Sequence, residues 1–416
     1  MARLGPLVGD GEPAPERCDL AIVGAGILGL ACARELQARH PGLSVCVLER
    51  EDRVASHQSS RNSGVVHAGI YYEPGSLKAR LCREGMEAMY EFCGRHGIAH
   101  EACGKVILAT TPAELPRLDE LRRRGEANGV PGLRSLDAEA IREIEPHARG
   151  IAGLLSRRSG IADFAEVTRR LAEEVRVADG AVACSSGVEA VTPVARGLRL
   201  AHAAGEVVAT HALFCAGAWA DRLAVAAGAS HDPRIVPFRG AYLRLRPERR
   251  QLVRALIYPV PDPALPFLGV HLTRHVSGDV LVGPTALLAA RRAVTGGRRG
   301  EDLASTLSWP GTWRMARRWW RTGATELRQA ASRATVVAAA RRFVPELAAS
   351  DVEPAFAGVR AQALGRDGVL VDDFAFSATE RALHVRNAPS PGATSAFAIA
   401  RHVADEAERT FGLPRA

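Results

Sequence analysis

The chain has 416 residues, 47% hydrophobic and 24% charged, which excludes a disordered protein and suits two domains better than one core. A net charge of +8 fits an anionic substrate, an anionic membrane or nucleic acid, but no nucleic-acid module or zinc-ligand spacing accompanies it, so neither nucleic acid nor metal is expected. No apolar run reaches the ~18 residues of a transmembrane helix, and the eight cysteines, none in a C-x-x-C pair, read as small core residues of a reducing, cytoplasmic compartment.

Residues 1–17 lack the apolar core of a signal peptide and are expected to form a loose tail. Leu20–Val23 then reads as a strand, Gly24-Ala25-Gly26-Ile27-Leu28-Gly29 as a turn, and the next run as an amphipathic helix ending at His40-Pro41-Gly42. "SVCVLE" is a second strand, with Glu49 at its end, followed by Arg50. Strand, glycine turn, helix, strand and acid make a dinucleotide-binding unit. Gly24 permits the tight turn, Gly26 removes a Cβ from the path of a pyrophosphate, and Gly29 lets helix and strand approach. The helix N-terminus offers free N–H groups, and Glu49 can accept bonds from ribose hydroxyls. FAD and NAD both use such a unit, so it does not choose between them.

Regular strand–helix alternation stops after Glu49. Residues 59–82, "SSRNSGVVHAGIYYEPGSLKARLC", mix hydroxyls, glycines, a His and two tyrosines with little period, as a segment that approaches a ligand would. Ser59, Ser60, Asn62 and Ser63 offer polar contacts, and Gly64 and Gly69 allow backbone near a flat ring. His67, Tyr71 and Tyr72 face either a substrate or the core; in a strand only one of the two tyrosines would face the site. A helix is expected from about Leu77 to Gly94, a strand at "KVILAT", helices at "AELPRLDELRRRGEANG" and "DAEAIREIEP", a strand and turn at 151–163, a helix from Phe164, and then a strand meander.

"HALFCAGAWADRL" is a second apolar strand that ends at a helix start with Gly217, and "ALHVRNAPSPGATSAFAIARHVADEAERTF" repeats the device with Gly392. If both turns approach the same dinucleotide, its domain is discontinuous: 18–90, 150–230 and 355–416, with 91–149 and 231–354 forming a substrate domain. Residues 235–290 read as short, Pro/Gly-punctuated strands and 301–347 as helices. Within the latter, Trp309, Trp313, Ala316 and Trp320 fall near one helical face, with Arg314, Arg317, Arg318 and Arg321 over the rest. That pattern suits a helix lying on the inner face of a cell membrane, or a face packed on the substrate domain.

The blocks "RNSGVVHAGIYYEPGSLKARLC", "PRIVPFRGAYL", "IYPVPDPALPFLGVHLT", "AGVRAQALGRDGVLVDDF" and "HVRNAPSPGATS" closely resemble, in order, the L-2-hydroxyglutarate oxidase/dehydrogenase family of D-amino-acid-oxidase-like flavoproteins, over about residues 18–410. The resemblance implies an α/β fold, with a discontinuous Rossmann-like FAD domain and an antiparallel β-rich substrate domain. It implies non-covalent FAD, oxidation of L-2-hydroxyglutarate to 2-oxoglutarate, and quinone or oxygen as electron acceptor. It also implies FAD contacts from Gly24, Gly26, Ile27, Leu28, Gly29, Glu49, Arg50, His57, Ser59, Ser60, Asn62, Ser63, Gly64, Val188, Ala216, Gly217, Gly358, Arg360, Pro391, Gly392, Ala393 and Thr394.

Removing a proton from a C2 hydroxyl suits an imidazole, and His271 and His67 are the candidates, His271 slightly favoured. A dicarboxylate suits arginine clamps, for which Arg239 and Arg360 stand in the best-matched blocks; Tyr72, Tyr242, Tyr258 and Ser390 are weaker hydroxyl contacts. Two departures stand out: Thr285 where the family shows Asn, heading the run "TALLAARRAVTGGRRG", and a Trp- and Arg-rich stretch at 305–325. An oxidase of another 2-hydroxy acid or amino acid, and a non-catalytic dinucleotide-binding module at a membrane, remain open alternatives.

Overall fold

Four apolar runs pair in parallel: Arg17–Val23, Val45–Leu48, Gly205–Phe214 and Ala382–Asn387. Val45–Leu48 and Ala382–Asn387 are buried along their whole length, the mark of strands covered on both faces. Register aligns Val23 with Leu48 and Phe214, and Phe214 with His384, so the carboxyl ends of all four strands lie at one edge. Ala181–Ala183 extends the sheet beside Val45–Leu48, and Val188–Val194, Gly197–His202 and Ala375–Ala378 complete its eight strands. Helices Ile27–Arg39 and Ala396–Phe411 pack side by side, the first also against Phe164–Val177. Buried Ala31, Cys32 and Ala33 keep that packing close.

This computed structural model describes residues 12–263, 265, 267–294 and 299–413; residues 1–11 of the expected tail and 295–298 of the divergent run lie outside the described residues. Among the described residues, no helix is long and apolar enough to cross a membrane.

A second sheet has nine strands, of which Arg234–Leu245, His271–Arg274, Leu256–Pro259 and Lys105–Ala109 matter most for the site. Its pairs are antiparallel except Leu256–Pro259 with Lys105–Ala109, which run parallel. Two strands expected with the dinucleotide part hydrogen-bond here instead: Ala152–Ser156 pairs with Lys105–Ala109, and Val352–Leu364 pairs along Arg234–Leu245. Ala152–Ser156 also pairs with Leu133–Asp137 nearer in the chain, but its pairing with Lys105–Ala109 and that of Val352–Leu364 with Arg234–Leu245 join distant segments, for which a local reading of the chain had no signal.

Trp309 caps rather than joins the Pro310–Ala331 helix; it is buried, and its indole N–H donates to the Leu364 carbonyl at 3.0 Å. The four-residue face expected from 309 to 320 therefore loses its first member. Trp319 has non-helical backbone angles, and Trp313 and Trp320 on either side of this kink are exposed.

Candidate active site

A cavity of about 820 Å³ lies between the carboxyl edge of the parallel sheet and one face of the second sheet. Gly24, Gly26, Ile27 and Leu28 line one wall. Gly24 has φ of +109°, and a Cβ there would stand 2.6 Å from the Cys215 carbonyl oxygen. A Cβ on Gly29 would stand 1.9 Å from the Gly24 carbonyl oxygen, so Gly29 does not line the cavity but seats helix against turn. Gly26 differs: the only neighbour of its missing Cβ among the described residues is Ser59 Oγ at 3.3 Å, and the remaining space is cavity.

Glu49 is buried at the end of its strand; its carboxylate accepts from the Ala25 N–H at 2.8 Å and the Glu51 N–H at 3.0 Å. Burial pushes its pKa up, against the pull of those two bonds. Ser59 Oγ accepts from the Ile27 N–H at 2.9 Å, docking the irregular segment on the helix start. Asn62 folds that segment: its amide donates to the Gln58 and Ser59 carbonyls and accepts from the Gly64 N–H. Arg50 stacks on Trp219 at 4.0 Å, and His57 packs edge-on against the same ring while bonding Glu51 at 2.8 Å.

Arg50, His57, Asn62, Ser63, Val188, Ala216, Gly217 and Gly358 also reach the cavity, as do Ser390, Pro391, Gly392, Ala393 and Thr394. Thr394 ties the last turn in place: its hydroxyl donates to the Val65 carbonyl and accepts from the His67 N–H. Besides Gly29, two expected contacts do not reach the cavity: Ser60 is exposed and turned to the His57 carbonyl, and Gly64 is covered by His275 and Ala162.

The opposite wall comes from the second sheet. Phe238, Gly240 and Tyr242 face the cavity along one strand, so alternation throws Arg239 onto the exposed face. Arg239 is therefore not placed as a clamp. Arg360 is: it lines the cavity, its guanidinium lies over Phe267 at 4.9 Å, and no carboxylate among the described residues pairs with it. Thr285, at the first divergent position, also lines the cavity and is held by accepting from the Ala241 N–H at 3.2 Å.

His271 and His67 both line the cavity. His271 Nδ1 lies 3.0 Å from the Gly269 carbonyl, which can only accept, so Nδ1 carries the proton and Nε2 keeps a lone pair. Burial lowers its pKa to about 4, and burial with nearby positive charge also lowers that of His67, so both rings are neutral near pH 7. Tyr258 stacks on His271 at 4.1 Å but lies behind it, outside the cavity wall. Residues 71 and 72 form turn and bend rather than strand: Tyr71 packs beneath Lys105 and Tyr72 beneath Lys78, and neither reaches the cavity. Sequence reasoning passed over Lys105, which sits buried behind His67; the available signal was a lysine opening an apolar strand in a chain with only one other.

A model of the FAD dependent oxidoreductase family matches residues 19–406. The mitochondrial L-2-hydroxyglutarate dehydrogenase of Nematostella vectensis is 43% identical over 96% of this chain and 92% of its own length. That of Homo sapiens is 42% identical over 95% and 89%, and the L-2-hydroxyglutarate dehydrogenase of Escherichia coli 40% over 94% and 93%. The chain belongs to the L-2-hydroxyglutarate dehydrogenase family of FAD-dependent oxidoreductases. Similar solved structures include L-alpha-glycerophosphate oxidase from Mycoplasma pneumoniae with FAD bound, at TM-score 0.76 and 22% identity over 97% of this chain and 96% of that one. Glycine oxidase from Geobacillus kaustophilus follows at TM-score 0.71 and 19% identity over 95% and 96%. At such identities these two speak for the fold alone. The cavity of this family member fits FAD: the open Cβ space at Gly26, the buried acid Glu49 and the turns at Gly217 and Gly392 all border it.

Proposed function

We propose that this protein oxidises L-2-hydroxyglutarate to 2-oxoglutarate, and the observation that carries this reading is Arg360. A guanidinium facing a cavity without a carboxylate partner is a ready anchor for a carboxylate that arrives with the substrate. Near it on the same wall, His271 presents the lone pair of Nε2 as general base for the C2 hydroxyl proton. Tyr242 and Ser390 offer further polar contacts. Bound FAD supplies the two-electron acceptor for the hydrogen on C2. The dehydrogenase names of relatives 40–44% identical support this choice of substrate. The test is anaerobic: purified yellow protein should bleach on adding L-2-hydroxyglutarate, and a spectrum left unchanged overturns the reading.

FAD is held without a covalent bond in this proposal, so acid precipitation should leave the yellow colour in the supernatant; colour retained in the pellet refutes it. The chain divides functionally into an FAD part built on the eight-stranded sheet and a substrate part built on the nine-stranded one, as sheet membership supports. Electrons pass on to quinone or oxygen, and reoxidation of the reduced protein by each in turn distinguishes them. A quinone acceptor agrees with a peripheral site on the cytoplasmic face of a membrane. In its support, Trp313, Trp320 and Leu327 stand 61%, 63% and 64% exposed at seven-residue spacing on the Pro310–Ala331 helix. No acid occurs between Asp302 and Glu326, while Arg314, Arg317, Arg318 and Arg321 do.

A further inference from the structure

Lys105 opens its strand at 1% exposure, yet among the described residues no carboxylate pairs with it. Its Nζ lies 3.5 Å from His67 Nδ1 and over the faces of Tyr71 and Tyr258, at 5.3 and 4.3 Å. A buried ammonium held by two ring faces and one imidazole nitrogen is a costly arrangement, and the imidazole it touches opens onto the cavity.

We propose that Lys105 is a positioning residue that acts through His67. As an ammonium it donates to Nδ1 and thereby fixes the imidazole proton on Nε2, at the other edge of the ring, as a donor to a substrate oxygen. The two cavity histidines then have opposite roles set by their second nitrogens. His271 donates through Nδ1 to the Gly269 carbonyl and so accepts through Nε2. His67 accepts at Nδ1 and so donates through Nε2. This also offers the substrate a second polar anchor, which Arg239 on the far face does not. The inference rests on the assignment of the cavity to L-2-hydroxyglutarate for its consequence in binding, but not for the state of the ring.

The groups facing the ammonium are His67 and Tyr71 from the irregular segment, Cys82 from the Leu77–His96 helix, Cys103 before its own strand, and Tyr258 and His271 from neighbouring strands. Arg360 and Lys78 also bear on His67. Burial pushes the Cys82 thiol to about 12 and the Cys103 thiol to about 11, and raises both tyrosines, so these groups stay neutral. His271 is neutral above about 4. Burial lowers Lys105 to about 7, so between pH 6 and 9 it is the group of this cluster whose charge changes.

The experiment has two arms on the FAD-loaded protein. In the first, ¹⁵N shifts of His67, assigned by difference with His67→Gln, report the tautomer with no substrate present. One Nε2–H tautomer is expected at pH 6 and a mixture at pH 9; Lys105→Met should show the mixture at both, and Lys105→Arg the single tautomer at both. A tautomer ratio in wild type that does not change with pH overturns the proposal, and needs no variant to fold. In the second arm, dissociation constants for 2-oxoglutarate come from perturbation of the flavin spectrum. Lys105→Met should bind about 10–100-fold more weakly than wild type at pH 6, the loss of one hydrogen bond from a neutral imidazole to a charged carboxylate, and equally at pH 9. His67→Gln/Lys105→Met should bind no more weakly than His67→Gln. An equal loss at both pH values, or additive losses in the double variant, marks a merely structural lysine and overturns the role. If 2-oxoglutarate leaves the flavin spectrum of wild type unchanged, the substrate assignment fails while the tautomer arm still decides for Lys105.

Discussion

Single atoms decide the chemistry of this site. Within the first glycine turn, the absent Cβ of Gly26 opens onto the cavity, with Ser59 Oγ its one near neighbour among the described residues. Gly26→Val should therefore fold and lose its flavin, read as the ratio of absorbance near 450 nm to that of the protein; normal flavin content would remove the cradle from this position. For the base, His271→Ala should slow flavin reduction roughly 10²–10⁴-fold in anaerobic stopped flow. His67→Ala should chiefly weaken substrate binding; if the large loss of rate follows His67 instead, the two histidines exchange roles. His67 and His271 are both legible in the sequence as imidazoles in well-matched blocks, but their protonation was not. It depends on a carbonyl two residues away for one ring and on a lysine 38 positions away for the other.

At the scale of elements, period and glycine placement were good guides and long-range pairing was not. The strand–turn–helix units at 17–39, 205–226 and 382–411 form where spacing predicts them, because each is a local transition from a buried strand to a helix start. Arg239 fell on the wrong face because the strand's register is fixed by Val352–Leu364, more than a hundred residues away. The Pro310–Ala331 helix shows the same limit. Spacing put Trp309 with Trp313, Ala316 and Trp320, whereas a bond to Leu364 draws Trp309 inside and leaves the other three exposed. The exposed tryptophan pair still carries a prediction. Wild type should float with anionic liposomes at low salt and lose that binding in Trp313→Ala/Trp320→Ala; failure of wild type to float sinks the membrane reading.

For the whole molecule, acid is the condition that should loosen the fold. His384 is fully buried on the Ala382–Asn387 strand, stacks on Phe214 at 4.8 Å, and among the described residues has no hydrogen-bond partner for either ring nitrogen. Burial, with Arg386 nearby, lowers its pKa from the ordinary 6.5 to about 4. As pH falls the unfolded chain takes up this proton first, so the stability His384 contributes is complete above about 6.5 and is lost as pH drops through about 4. The loss is on the order of 3 kcal/mol. His384→Phe keeps the stacking and removes the titration, and should flatten the fall in melting temperature over that range; an unchanged slope would assign acid sensitivity elsewhere.

The sequence by itself determined the cofactor cradle, the discontinuity of the part that holds it and the family, because glycine turns, strand–helix transitions and matched blocks are properties of short contiguous runs. Tertiary structure decided which side of each strand meets the cavity, that Arg360 and not Arg239 faces it, that Ala152–Ser156 and Val352–Leu364 belong to the second sheet, and that Lys105 stands behind His67. Those outcomes depend on hydrogen-bond register and burial between segments far apart in the chain, and no local pattern of residues encodes them.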